Sequence, residues 1–199
     1  MPCCYPVNED FIKASADNIR REYQALIAQG QKPRLLFSAH GVPLFVLERG
    51  DPYIWQCSAT AKAIVKELAI PDLDYAECYQ SRVGPVKWTE PSVETELKRA
   101  AADGVPVLVY PHAFVSEHVE TLVEIEEEYR EMAHHLGVPG FARVPTVSTA
   151  PAFINGLKTQ VEAACTHEHL CVVGAGKNGD SLCPKDYKAC ARRMYGKAA

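Results

Sequence analysis

No stretch of this 199-residue chain approaches the roughly 20 apolar residues that a membrane-spanning helix needs. The opening residues, Met1-Pro-Cys-Cys-Tyr-Pro6, lack a basic region followed by an apolar segment. A secretory leader is therefore not expected, and the cytoplasm is the expected compartment. Positive charge is in deficit, with 21 Lys and Arg against 25 Asp and Glu and a net charge of -4. With no basic stripe to offset it, that balance excludes nucleic acid as an expected partner. No basic or apolar lip stands out either, so membrane contact is expected to be at most peripheral. The eight cysteines include no Cys-x-x-Cys pair, which excludes zinc-ribbon and ferredoxin spacings. An extracellular disulfide framework would normally accompany a leader, so metal or redox use is the better reading of so many thiols. Gly174-Ala-Gly-Lys177 lacks the glycine spacing and the preceding strand of a phosphate loop. Leu36-Phe-Ser-Ala-His40 lacks the glycines of a nucleophile elbow, so Ser38 is not expected to attack a substrate. No internal repeat is visible.

What the chain does have is alternation. Asn8 is placed to cap a helix running to about residue 29, and Gly30 is a stop signal. Ile12, Ile19, Tyr23, Leu26 and Ile27 form its apolar stripe. A strand is expected over 34–39, a Gly/Pro-punctuated loop to residue 52, and a helix over 53–69. A second strand over 74–79 leads through a loop holding Gly84, Pro85, Trp88 and Pro91 to a helix over 92–102. A third strand over 105–110 tolerates Pro106 as an early residue. A long helix over 116–136 is ended by Gly137 and Pro139, and a strand over 141–144 and a helix over 151–164 follow. Alternating strands and helices with near-continuous apolar strands predict a three-layer, doubly wound α/β fold around a parallel sheet, similar to Rossmann folds. The expected organisation is a leading helix over 1–32, one α/β domain over 33–164 and a Cys-rich extension over 165–199, where periodicity stops.

The most informative stretch is Pro111-His-Ala-Phe-Val-Ser-Glu-His-Val-Glu-Thr-Leu-Val-Glu-Ile-Glu126. It sets His118, Glu120 and Glu124 where a strand hands over to a helix, the edge where open α/β sheets bind ligands. The strand before His40 aims that histidine at the same edge, and Gly41 would let the loop approach a ligand closely. Imidazole and carboxylate together suit a borderline divalent metal, and either takes protons. His118 and Glu120 are two residues apart and would diverge on a regular helix, so lining one pocket requires an irregular, π-type start. Glu126, Glu127, Glu128 and Glu131 read as a solvated face, and His134 and His135 as favourable charges at the helix end. Gln80-Ser-Arg82 and Trp88 are read as a polar rim and a flat wall for a planar ligand, beside an ordinary reading as loop and packing residues.

Four motifs, Leu36-Phe-Ser-Ala-His-Gly-Val-Pro43, Gly50-Asp-Pro-Tyr53, Gln80-Ser-Arg-Val-Gly-Pro85 with Trp88, and Ala113-Phe-Val-Ser-Glu-His-Val-Glu-Thr-Leu122, stand in register. Over residues 2 to about 164 the chain resembles the C-terminal part of ferrochelatases, which insert ferrous iron into a porphyrin to make haem. The resemblance implies a chelatase-like fold, with Fe2+ and protoporphyrin IX as substrates. It implies His40 and Glu120 as the metal-side pair, with His118 and Glu124 in support. Gln80, Ser81, Trp88 and Phe114 would lie near the porphyrin. The family's two-domain plan implies a missing N-terminal domain, and a half-size homodimeric chelatase or an inactive, cluster-bearing fragment are the rival readings. Some members carry a [2Fe–2S] cluster on C-terminal cysteines. Cys165, Cys171, Cys183 and Cys190 resemble that set, with Cys3 or Cys4 as an upstream ligand.

Overall fold

The computed structural model of the protein describes residues 4–166, 182–190 and 194. Asn8 caps α1 (Glu9–Ala28), its side chain accepting from the Phe11 N–H at 2.9 Å. β1 (Arg34–His40) follows, then a short α2 (Leu44–Glu48) and α3 (Tyr53–Leu68). The loop expected between residues 41 and 52 thus contains a helical turn and a half. It buries none of its side chains, which is why no apolar periodicity announced it. β2 (Tyr75–Gln80) leads to α4 (Val93–Asp103), capped by Ser92, and to β3 (Val107–Tyr110). β3 begins after Pro106, whose carbonyl accepts from Arg34 N–H at 2.8 Å, so the proline costs the ladder no donor. A π-helix (Glu120–Tyr129) then runs into α5 (Arg130–Leu136), β4 (Phe141–Arg143) and α6 (Pro151–Thr166).

The four strands are parallel in the order β2-β1-β3-β4. Successive strand side chains alternate between faces, as the pleat requires. Leu35, Phe37, Leu108 and Tyr110 meet α1, α3 and α6 in one buried cluster that includes Ile19, Ile64 and Phe153. Leu36, Cys78, Val107 and Val109 meet α4, the π-helix and α5 in the other, with Leu97, Ile125, Tyr129 and Ala133. Tyr110 is fully buried, and its hydroxyl donates to Ser15 Oγ at 2.7 Å, which donates in turn to the Phe11 carbonyl. The expected three-layer α/β architecture is what forms, and α1 belongs to its core.

The topology places the site. After β1 the chain pairs β2 on one side and then crosses to lay β3 on the other. The connections at the carboxyl ends of β1 and β3 therefore diverge, leaving a crevice at the switch point where such sheets bind ligands.

Candidate active site

His40 ends β1 and turns up into that crevice, half-exposed. Its Nδ1 lies 2.6 Å from the Gly41 carbonyl. A carbonyl only accepts, so Nδ1 carries the hydrogen and Nε2 presents a lone pair. That Nε2 stands 4.0 Å from Glu120 Oε1 on the first turn of the π-helix. Imidazole and carboxylate thus meet across the switch point from elements 80 residues apart in sequence.

The helix start is irregular, a π-helix from Glu120 onward. His118 Nδ1 faces the Glu120 N–H at 3.4 Å, the His118 N–H donates to Thr121 Oγ1 at 2.9 Å, and the Phe114 ring stacks on the imidazole with centroids 6.2 Å apart. His118 is therefore held at the lip of the site. Glu117 steadies the turn from behind. Partial burial opposes its charge, but Thr121, the Thr146 N–H and Arg143 outweigh that and hold its carboxyl below the usual carboxylate range. Among the described residues no three His, Cys, Asp or Glu side chains gather into a metal-holding group, so His40 and Glu120 stand as a pair.

Glu124 points elsewhere. It accepts from Gln80 Nε2 at 3.0 Å, Ser81 N–H at 2.8 Å, Ser81 Oγ, and Tyr129 Oη at 3.0 Å. Gln80 and Ser81, expected on the substrate rim, are instead turned inward against the helix, and Gln80 is fully buried. The reason is register. Gln80 lies beside His40 at the sheet edge, directly under the first π turn. Gly41 is likewise corrected. A Cβ there would stand 3.0 Å from the Gln80 carbonyl and 3.4 Å from the Trp88 ring, so it is protein rather than ligand that approaches it. Trp88 is half-buried, and its indole N–H donates to the Val83 carbonyl at 3.1 Å, closing the 83–88 loop. Glu126, expected on a free acidic face, pairs with Arg130 and Arg143, whereas Glu127, Glu128 and Glu131 are exposed.

Three residues escaped the sequence reading. Tyr129 is five residues from Glu124, a spacing that shares a face on a π-helix and not on an α-helix. Burial, then the Glu124 charge, raises its phenol pKa. Tyr53 sits half-buried at the start of α3 beside Cys57 and the His40 backbone, and partial burial raises its phenol likewise. His112 follows β3 and is buried, donating from Nδ1 to the Ser38 carbonyl at 3.1 Å. Burial pushes its pKa down to about 4 against weaker support from main-chain carbonyls.

Residues 2–165 match the family profile described as Ferrochelatase. The chain belongs to the ferrochelatase family. It is 53% identical over 150 residues to the ferrochelatase of Wolbachia sp. subsp. Brugia malayi, covering 75% of this chain and 43% of that one. It is 42% identical over 188 residues to that of Rickettsia bellii, covering 94% and 51%. With that of Rickettsia felis the figures are 41% over 192 residues, 96% and 54%. The chain thus spans about half the length of the curated ferrochelatases it matches. Among solved structures it resembles SirB from Bacillus subtilis with Fe3+, at a TM-score of 0.52 and 15% identity over 78% of this chain and 54% of that one. That likeness is one of fold.

The cysteine set fares differently. Cys183 and Cys190 are buried where residues 182–190 pack on α3, with Gln56 Nε2 donating to Cys183 Sγ at 3.4 Å and Tyr187 against Trp55. Cys4 shares a cavity wall with Cys190, whereas Cys165 is exposed on the last turn of α6. Cys3 and Cys171 lie outside the described residues. Among the described residues these thiols belong to no group of three or more His, Cys, Asp or Glu side chains that could hold a metal ion. No helix among the described residues is long and apolar enough to cross a membrane.

Proposed function

We propose that this chain is the metal-side half of a ferrochelatase, inserting Fe2+ into a porphyrin, protoporphyrin IX, in haem biosynthesis. The observation that carries the reading is the His40 Nε2–Glu120 Oε1 pair, 4.0 Å apart across the switch point. Insertion exchanges two pyrrole N–H hydrogens for one Fe2+, so two protons must leave as two Fe–N bonds to the former pyrrole nitrogens form. In its uncharged Nδ1–H form His40 offers Nε2 to the first proton, and the imidazolium so formed is balanced by Glu120. Glu120 then relays protons outward, and His118 at the lip serves the same traffic.

A single imidazole and a single carboxylate hold a divalent ion weakly, which suits a metal that must be surrendered to four nitrogens. Leu44 and Phe45 follow β1, Val83 and Val86 follow β2, and Val119 precedes the π-helix, so exposed apolar side chains surround the same edge. With Trp88 and Phe114 they suit the face of a flat macrocycle. The facing wall would come from a further half, since the relatives are about twice as long.

The test is anaerobic metallation read as loss of free-porphyrin fluorescence, beside His40→Ala and Glu120→Ala. Turnover that vanishes in both variants supports the reading. Turnover that survives in His40→Ala overturns it.

A further inference from the structure

We propose that Gln80 and Ser81, at the end of β2, act as positioning residues: a clamp from the sheet edge onto the π-helix that sets Glu120 against His40. The inference rests on the His40–Glu120 reading above and goes beyond it, because neither clamp residue needs to touch metal or porphyrin.

The hydrogen bonds fix the clamp atom by atom. Ser38 Oγ donates to Gln80 Oε1 at 2.7 Å, which assigns the oxygen end of the amide. The nitrogen end then has two hydrogens, and two acceptors await them. One is the Glu120 main-chain carbonyl at 3.2 Å, and the other is Glu124 Oε2 at 3.0 Å. One fully buried side chain therefore grips successive turns of the helix at both points. Ser81 adds its N–H to Glu124 Oε1 at 2.8 Å and its hydroxyl to Oε2. It does so with a φ of 59°, a backbone region that non-glycine residues rarely adopt. Held φ strain and two convergent donors on one carboxylate both mark a built contact.

The two glutamates are thereby given different work. Glu124 has four donors on its two oxygens, which exhausts a carboxylate's usual acceptor sites. It is an anchor with nothing left for a metal. Glu120 is gripped only by its main chain, and its carboxylate faces His40. Among the described residues the crevice side of this turn is open, with His118 exposed and Val119 61% exposed. Thr121 and Ile125 are buried on the inner side, and Ile125 packs with the strand residues of the second cluster. They do not fix how far its first carbonyl stands from the edge, and Gln80 does.

The experiment compares the unsubstituted chain with Gln80→Met, which conserves volume without donors, Ser38→Ala, which frees the amide, and His40→Ala. Amide hydrogen exchange is measured over 119–124 and over 130–136. Co2+, a redox-stable probe for Fe2+, is titrated by its visible absorption. In Gln80→Met we expect exchange over 119–124 to rise at least tenfold while 130–136 is unchanged. Co2+ affinity should fall roughly 10- to 100-fold with an altered spectrum, the range for residues that orient metal ligands. Ser38→Ala should show the same changes at smaller size, and it decides the matter should Gln80→Met not fold. Unchanged exchange over 119–124 overturns the clamp. Faster exchange with unchanged Co2+ affinity and spectrum overturns its positioning role. An unsubstituted chain that binds Co2+ no better than His40→Ala overturns the metal-pair reading and the positioning role with it, and exchange alone then decides whether the clamp exists.

Discussion

His40 and His112 stand at the ends of neighbouring strands, and each gives its Nδ1 hydrogen to a main-chain carbonyl, that of Gly41 in one case and of Ser38 in the other. Residue type, tautomer and sheet edge are the same. Surroundings are not. His40 has a 40% exposed side chain and a carboxylate opposite its free nitrogen. His112 is 4% exposed, T-stacked on Phe37, and among the described residues its Nε2 has no hydrogen-bond partner as it lines a cavity of about 210 Å³ with Tyr5, Phe11 and Tyr53. A histidine that can exchange protons with a substrate needs solvent or a counter-charge when it becomes cationic, and only His40 has either. The neighbouring strand builds its histidine into the core instead.

That contrast can be broken from either side. The largest effect expected is from His40→Ala, which should cut metallation by roughly 100- to 10,000-fold, the range for removing a positioned acid–base group. Because the side chain is half-exposed, unfolding stability should move by no more than about 0.5 kcal/mol, checked by urea titration. His112→Leu should do the reverse, leaving Co2+ affinity within about threefold of the parent's.

The second effect is on pH. His112 is neutral in the fold down to a pKa of about 4, whereas an unfolded histidine titrates near 6.5. Below that value the unfolded chain takes up a proton that the folded chain refuses. Stability present above pH 6.5 is therefore lost as pH falls towards 4, by about 3 kcal/mol in all. Urea midpoints measured from pH 7 to 4 should show this loss, and His112→Leu should flatten it. An unchanged slope in that variant would mean the titrating group lies elsewhere.

Smaller effects sharpen the picture around His40. Gly41→Ala puts a methyl 3.0 Å from the Gln80 carbonyl and 3.2 Å from Arg82 Cγ, and should destabilise by about 1–3 kcal/mol. It should also shift the His40 imidazole resonances, since the Gly41 carbonyl fixes that ring. Tyr129→Phe removes one of four donors to Glu124 and should cost about 1 kcal/mol, with metallation changed less than in His40→Ala. A Tyr129→Phe loss as large as that of His40→Ala would show that Glu124 is more than an anchor.

Much of this molecule was legible in one dimension. Strand alternation, the Asn8 cap and the Gly137 stop mark elements through local sterics and hydrogen bonding, which act over a few residues. An irregular, π-type helix was expected for His118, Glu120 and Glu124 to line one pocket; a π-helix is there, but Glu124 turns away to Gln80, Ser81 and Tyr129. Misreadings cluster where a residue's partner is remote. Gln80 and Ser81 looked like a polar rim because they follow a strand, yet their partners lie 40 or more residues away. His112 attracted no notice, since nothing local marks a histidine as buried. Cys183 and Cys190, expected as ligands by kinship alone, are not among those misreadings; what the sequence could not show is their burial against α3, which depends on how residues 182–190 lie on the fold.

By itself, then, the sequence determined every strand and every helix but α2, the parallel α/β class and the family, because periodicity, caps and ordered motifs are local or collinear properties. The strand order β2-β1-β3-β4 decided the rest. It brings His40 to Glu120, turns Gln80 under the π-helix and seals His112 beneath Ser38. Those pairings depend on which strand ends become neighbours, and that is settled only when the sheet closes its core.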